Sequence, residues 1–126
     1  MSLKNWEIND CSLPLDLEDA EAMERYEAAF DKMAEEEKTI PKDGRQSARI
    51  RAYCDLYHHL YDNIWGDGTA ERIFKGKPMN TAVYDDVYYS FLDFVRAQTV
   101  NAAQKRAEKL DKYRPNRAQK RAAKRK

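Results

Sequence analysis

A chain of 126 residues, 42% of them hydrophobic and 14 of them aromatic, has material for one modest core and none for a second. No segment approaches the run of about eighteen apolar residues that a membrane span needs, Met1 to Asp10 lacks a basic region followed by an apolar one, and Cys11 and Cys54 form no CxxC, so a soluble intracellular protein with reduced thiols is expected. The net charge of +1 conceals a split: residues 1–95 carry 11 Lys and Arg against 20 Asp and Glu, while residues 96–126 carry 12 against 2, and such a basic end can bind polyanions, fold onto its own body or meet the acidic body of another copy.

Around Leu3, Trp6 and Ile8 the segment MSLKNWEINDCSLPL alternates imperfectly between apolar and polar residues, which predicts a short edge strand or an extended arm. Asp16 can serve as an N-cap, and Glu18, Asp19 and Glu21 suit the positive end of a helix dipole, so a helix is expected from about Leu17 to Lys38. Its apolar stripe is Met23, Tyr26, Phe30 and Met33. Glu35-Glu36-Glu37 reads as a solvated helix end rather than a metal or partner site.

Pro41 disfavours helix at Ile40 and Asp43-Gly44 favours a turn, so residues 40–44 form a linker. A connection this short predicts that the helices on either side form an antiparallel hairpin. On the second helix Ile50, Tyr53, Cys54, Tyr57, Leu60, Tyr61, Ile64 and Trp65 recur at intervals of three and four and define one buried face. Gly66-Asp67-Gly68 must end it. Thr69 can then cap a short helix bearing Ile73 and Phe74, before Lys75-Gly76-Lys77-Pro78 breaks the pattern.

Asn80 can cap a long helix that runs to about Lys112. Val83, Tyr84, Val87, Tyr88, Phe91, Leu92, Phe94 and Val95 cover roughly half its circumference, wider than one partner helix requires. Either this helix is wedged centrally in the domain, or one flank is open to another chain. Beyond Arg96 the apolar positions thin to Val100, Ala103, Ala107 and Leu110, and the helix should leave the core. Arg114-Pro115 ends it, and Asn116 can cap a last piece too short to be stable alone in water. The expected architecture is all-α: a small bundle of three long helices and one short helix over residues 1–113, with the N-terminal strand or arm, then a basic, disordered tail over residues 114–126.

No catalytic or metal constellation stands out. Cys54, His58 and Asp62 are spaced i, i+4, i+8 like a triad laid along one helix, yet nothing in the sequence supplies a cleft or an oxyanion hole. Asp55, His59 and Asp62 lack a second ligating element. The stretch Asp62 to Glu71 fails as a calcium loop because Ile64 and Gly66 occupy positions that need oxygen ligands. No cofactor is therefore expected. The basic end offers Arg114, Arg117, Lys120, Arg121, Lys124, Arg125 and Lys126 to phosphates, but without interleaved aromatics for base stacking, so nucleic acid is the lesser expectation.

Taken in order, the acidic first helix with its Tyr26 and Phe30 stripe, the block IRAYCDLYHHLYDNIWGDGTAERIF from Ile50 to Phe74, the aromatic helix and the ending KYRPNRAQKRAAKR resemble a family of small proteins encoded in the tail modules of bacteriophages and prophages of Gram-positive bacteria and regarded as tail assembly chaperones. The most specific parts are Tyr61 to Phe74 and Pro115 to Gln119, and neither is a catalytic motif. The resemblance implies a non-enzymatic, oligomeric protein of the host cytoplasm. It would bind the hydrophobic, helical tape measure protein and be displaced as tail tube subunits polymerise around it. Amphipathic helical clients are held by anchors at helical spacing, and Tyr84, Val87, Tyr88, Phe91 and Val95 are the candidates for client binding or self-association. The alternative reading of those five is core.

Overall fold

The first residues pair with one another. In a computed structural model that describes residues 4–113, strand β1 (Asn5–Ile8) lies antiparallel to β2 (Cys11–Pro14), with Trp6 opposite Leu13 and Ile8 opposite Cys11. Asn9 and Asp10 make the connection at φ 44° and 66°, positive at both central positions as a two-residue type I′ turn demands. Asn and Asp reach that region more easily than other non-glycine residues. Alternation buries Trp6, Cys11 and Leu13, while Glu7 and Ser12 face outward and share a 2.9 Å hydrogen bond. The ladder extends through Leu15 N–H to the Lys4 carbonyl at 2.7 Å, which leaves Pro14 at a position where no ladder donor is needed. The expected strand or arm is thus a two-stranded sheet in an otherwise helical chain.

Helix α1 (Ala20–Glu37) starts later than its acidic run suggests. Asp19 is the N-cap and accepts from Ala22 N–H at 3.0 Å. Asp16 instead closes a turn, accepting from Glu18 N–H at 3.0 Å and from Lys4 Nζ at 3.2 Å. Those two partners, the backbone donor foremost, hold its carboxyl below the usual carboxylate range. Between turn and helix, buried Gln98 reaches across: its Nε2 donates to the Leu15 carbonyl at 2.8 Å and its Oε1 accepts from Leu17 N–H. These bonds tie the segment before α1 to α4.

Helices α1 and α2 (Gln46–Trp65) form the expected hairpin, and α2 ends at Gly66, at φ 114° and ψ 161°, a conformation that only glycine adopts without strain. The corner then differs from expectation in its cap. The short helix α3 (Thr69–Ile73) has Gly68 at its N-cap; Thr69 donates its hydroxyl to the Gly66 carbonyl at 2.7 Å, and the Asp62 carboxylate accepts from Ala70 N–H at 2.9 Å. The long helix α4 (Thr81–Lys112) is capped as expected by Asn80, which accepts from Ala82 and Val83 N–H. Asn116, Leu3 and the seven cationic residues from Arg114 to Lys126 lie outside the described residues. No helix among the described residues is long and apolar enough to cross a membrane.

The core gathers around Trp6. Its ring lies 5.2 to 5.7 Å from Phe91, Tyr61 and Trp65, and its indole N–H donates to Ser90 Oγ at 3.1 Å. Each such ring pair adds about 0.5–1.5 kcal/mol beyond area burial. The Tyr61 hydroxyl is fully buried with no hydrogen-bond partner among the described residues. Tyr61→Phe is therefore expected to raise stability in urea denaturation by about 1 kcal/mol, while Gln98→Ala, which orphans Leu17 N–H and the Leu15 carbonyl, is expected to lower it by about 1–3 kcal/mol.

Candidate protein-interaction surface

The first half of α4 is wedged centrally in the domain, one of the two arrangements its broad apolar face allows. Of the five anchor candidates, Tyr84, Val87 and Phe91 are buried inside the domain and only Tyr88 and Val95 are half-buried. Tyr84 stacks face to face on Phe74 at 3.8 Å, and its hydroxyl pairs with His58 Nε2 at 2.6 Å. Phe91 meets rings from the hairpin, α1 and α2. Val87 sits beside Ile8 and Pro78 in a shallow cleft between hairpin and corner. The hairpin supplies the neighbour on the flank of Val87 and Phe91. In this fold those three side chains belong to the core.

A seam remains between α1 and α4. The end of α1 at Glu37 and the start of α4 at Thr81 and Asp85 border one cleft, and at the other end Glu18 faces Arg106 at 3.9 Å, so the two helices run antiparallel. Both pack on α2. Half-buried Tyr26 and Phe30 come from α1, their rings 4.8 Å apart and each 6.3 Å from Phe91. From α4 come Tyr88 and, two turns on, Val95. Burial raises the hydroxyls of Tyr26 and Tyr88 above the ordinary tyrosine value. The result is an apolar strip partly open to solvent, floored by Phe91 and flanked by the acidic residues of α1, which a helix with apolar anchors and basic flanks would match. Tyr26 and Phe30 are visible in the sequence as a core stripe, but their place at an edge depends on how α1 leans on α2.

The cleft at the Glu37 end, about 420 Å³, has no counterpart in the sequence reading. Tyr53 donates its hydroxyl to Asp85 Oδ1 at 2.6 Å and lies 2.9 Å from the Tyr57 hydroxyl. Arg49, Lys42 and Glu37 also line it. Tyr53 and Tyr57 one turn apart were legible only as part of an apolar face.

The triad-like residues are engaged separately. Cys54 is fully buried, which pushes its thiol up; His58 pairs with Tyr84, and Asp62 caps α3. His59 Nδ1 meets Glu36 Oε2 of α1 at 2.6 Å. Among the described residues no group of three His, Cys, Asp or Glu is placed to hold a metal ion. On the side of α4 away from the core, Tyr89, Leu92, Val100 and Leu110 are exposed.

A family model described as a family of unknown function, DUF6673, matches residues 9–124. No curated protein and no solved structure matches the chain.

Burial holds the Tyr57 and Tyr61 hydroxyls far above the ordinary tyrosine value of 10 and pushes Tyr84 up to about 12. The unfolded chain would lose these protons first, so the stabilisation is complete below about pH 10 and declines as pH rises from there through the folded values. Urea denaturation at rising pH should show a plateau followed by a fall, and phenolate absorbance should show buried tyrosines titrating only as the chain unfolds.

Proposed function

The chain belongs to the DUF6673 family, a family of unknown function, and we propose that it is a non-enzymatic bacteriophage tail assembly chaperone that binds the tape measure protein and keeps it soluble in the host cytoplasm. The observation that carries this reading is the seam: Tyr26, Phe30, Tyr88 and Val95 are left half-buried by two helices that both rest on α2. A single amphipathic helix laid along it would remove those side chains from water at about 25 cal/mol per Å² of apolar surface. The resemblance of Tyr61 to Phe74 and of Pro115 to Gln119 to tail-module proteins supplies the client. Its chemistry suits the seam: long, helical and apolar, with basic residues favoured beside the acidic outer face of α1. The runner-up is a nucleic-acid-binding protein acting through Arg114, Arg117, Lys120, Arg121, Lys124, Arg125 and Lys126, supported by the absence of any acidic residue in that segment.

Co-expression with the tape measure protein encoded downstream tests the chaperone reading, with light scattering on whatever co-purifies. The informative variant carries Tyr88→Glu and Val95→Glu. Phe91 is unsuitable because it has no exposed surface, and a carboxylate there would unfold the chain. The wild type is expected to retain a soluble tape measure, and a variant that keeps its circular dichroism spectrum is expected to bind at least about tenfold more weakly. A wild type that retains no tape measure at low salt overturns the reading, and salt-sensitive DNA retention would then favour the tail.

A further inference from the structure

The last buried residue of α4 is Gln98, yet the helix continues to Lys112. That is about four turns, or roughly 21 Å, standing beyond the core, and an isolated helix of that length is marginal in water. Its apolar positions are not random. On the face nearly opposite the core, Tyr89, Leu92, Val100, Ala103, Ala107 and Leu110 form one stripe, all of them exposed.

Four of its six positions, Tyr89, Leu92, Ala107 and Leu110, are symmetric about the point between Thr99 and Val100. Reversing the helix about that point lays Tyr89 on Leu110, Leu92 on Ala107, Arg96 on Ala103 and Thr99 on Val100. Tyr89 and Leu110, and Leu92 and Ala107, thus meet within the stripe, while Ala103 and Val100 meet the stems of Arg96 and Thr99 at its edge. A parallel pair would set Ala107 on Ala107 and Tyr89 on Tyr89, alternating voids with clashes. Charge selects the same direction. The first half of α4 carries Asp85, Asp86 and Asp93 against Arg96, whereas in the second half Lys105, Arg106, Lys109 and Lys112 outnumber Glu108 and Asp111. Antiparallel alignment lays the basic half of one helix along the acidic half of the other, and brings the end of α4 beside Asp85 and Asp86 of the second copy. There the chain enters a segment with seven Lys and Arg and no acid.

We infer that the solvent-facing stripe of α4 is the interface of an antiparallel, two-fold symmetric dimer of this chain, centred between Thr99 and Val100. This surface is separate from the α1/α4 seam, and the inference requires no client.

Cysteine cross-linking of the full chain reads both the association and its direction, since Cys11 and Cys54 are buried. Val100→Cys lies at the two-fold axis and is expected to form disulfide dimers under mild oxidation. Leu110→Cys alone should not, but mixed with Tyr89→Cys it should give the heterodimer. Leu92→Glu, at an exposed position that leaves folding intact, should raise the dimer dissociation constant at least about tenfold in sedimentation. Cross-linking of Leu110→Cys by itself would show a parallel pair and overturn the inference. So would a wild type that stays monomeric at millimolar concentration, or a folded Leu92→Glu chain that dimerises as well as the wild type.

Discussion

The placement of Trp6 is the constraint from which the rest of the domain follows. A hairpin of four-residue strands is not stable alone, and three helices of unequal length leave α4 with an aromatic face too broad for one neighbour. Trp6 resolves both. It anchors the hairpin through contacts with Tyr61, Trp65 and Phe91, and its indole donor is satisfied on α4 itself by Ser90. The sheet therefore acts as a fourth packing element whose inner face is one large ring. The alternation that imposes this, Trp6 and Leu13 inward with Glu7 and Ser12 outward, is a property of the pleat.

Two polar side chains, buried Gln98 and half-buried Asp62, then fix how the segments join. Gln98 satisfies the irregular backbone between hairpin and first helix, and Asp62 satisfies the start of α3 after the glycine corner. Both are side chains of long helices serving backbone groups elsewhere, so helix placement and loop conformation are coupled. Side chains engaged in this way define one arrangement among several that would bury similar apolar area, because each alternative would leave their partners unpaired. The same logic marks Tyr61, whose unpartnered hydroxyl sits in the middle of the aromatic cluster.

Much of the fold was legible in the residues. The three- and four-residue spacing along α2, the stop at Gly66, the Asn80 cap and the reach of α4 to Lys112 follow from local rules, and all appear as read. What the sequence withheld depended on tertiary partners. Asp16 and Asp19 are alike as cap candidates until Asp16 closes its turn on Glu18 and Lys4 and leaves the cap to Asp19, and Thr69 looks like a cap until Asp62 takes that place. The hairpin was hidden because its turn is Asn9-Asp10 and lacks the glycine that usually announces it. That omission bears on α4 too: the hairpin reaches Val87 and Phe91 while the corner covers Tyr84, which leaves half-buried Tyr88 and Val95 at the edge. The Tyr53–Asp85 contact joins residues 32 positions apart, beyond the reach of any periodicity.

Helix α4 is continuous from the packed body to its far end, with no proline or glycine within its 32 residues. A helix without such a break bends only gently, so for as long as its last turns stay wound it holds one direction. The chain leaving Tyr113 starts at a fixed standoff and heading from the body, set by the seating of Val87, Phe91 and Gln98.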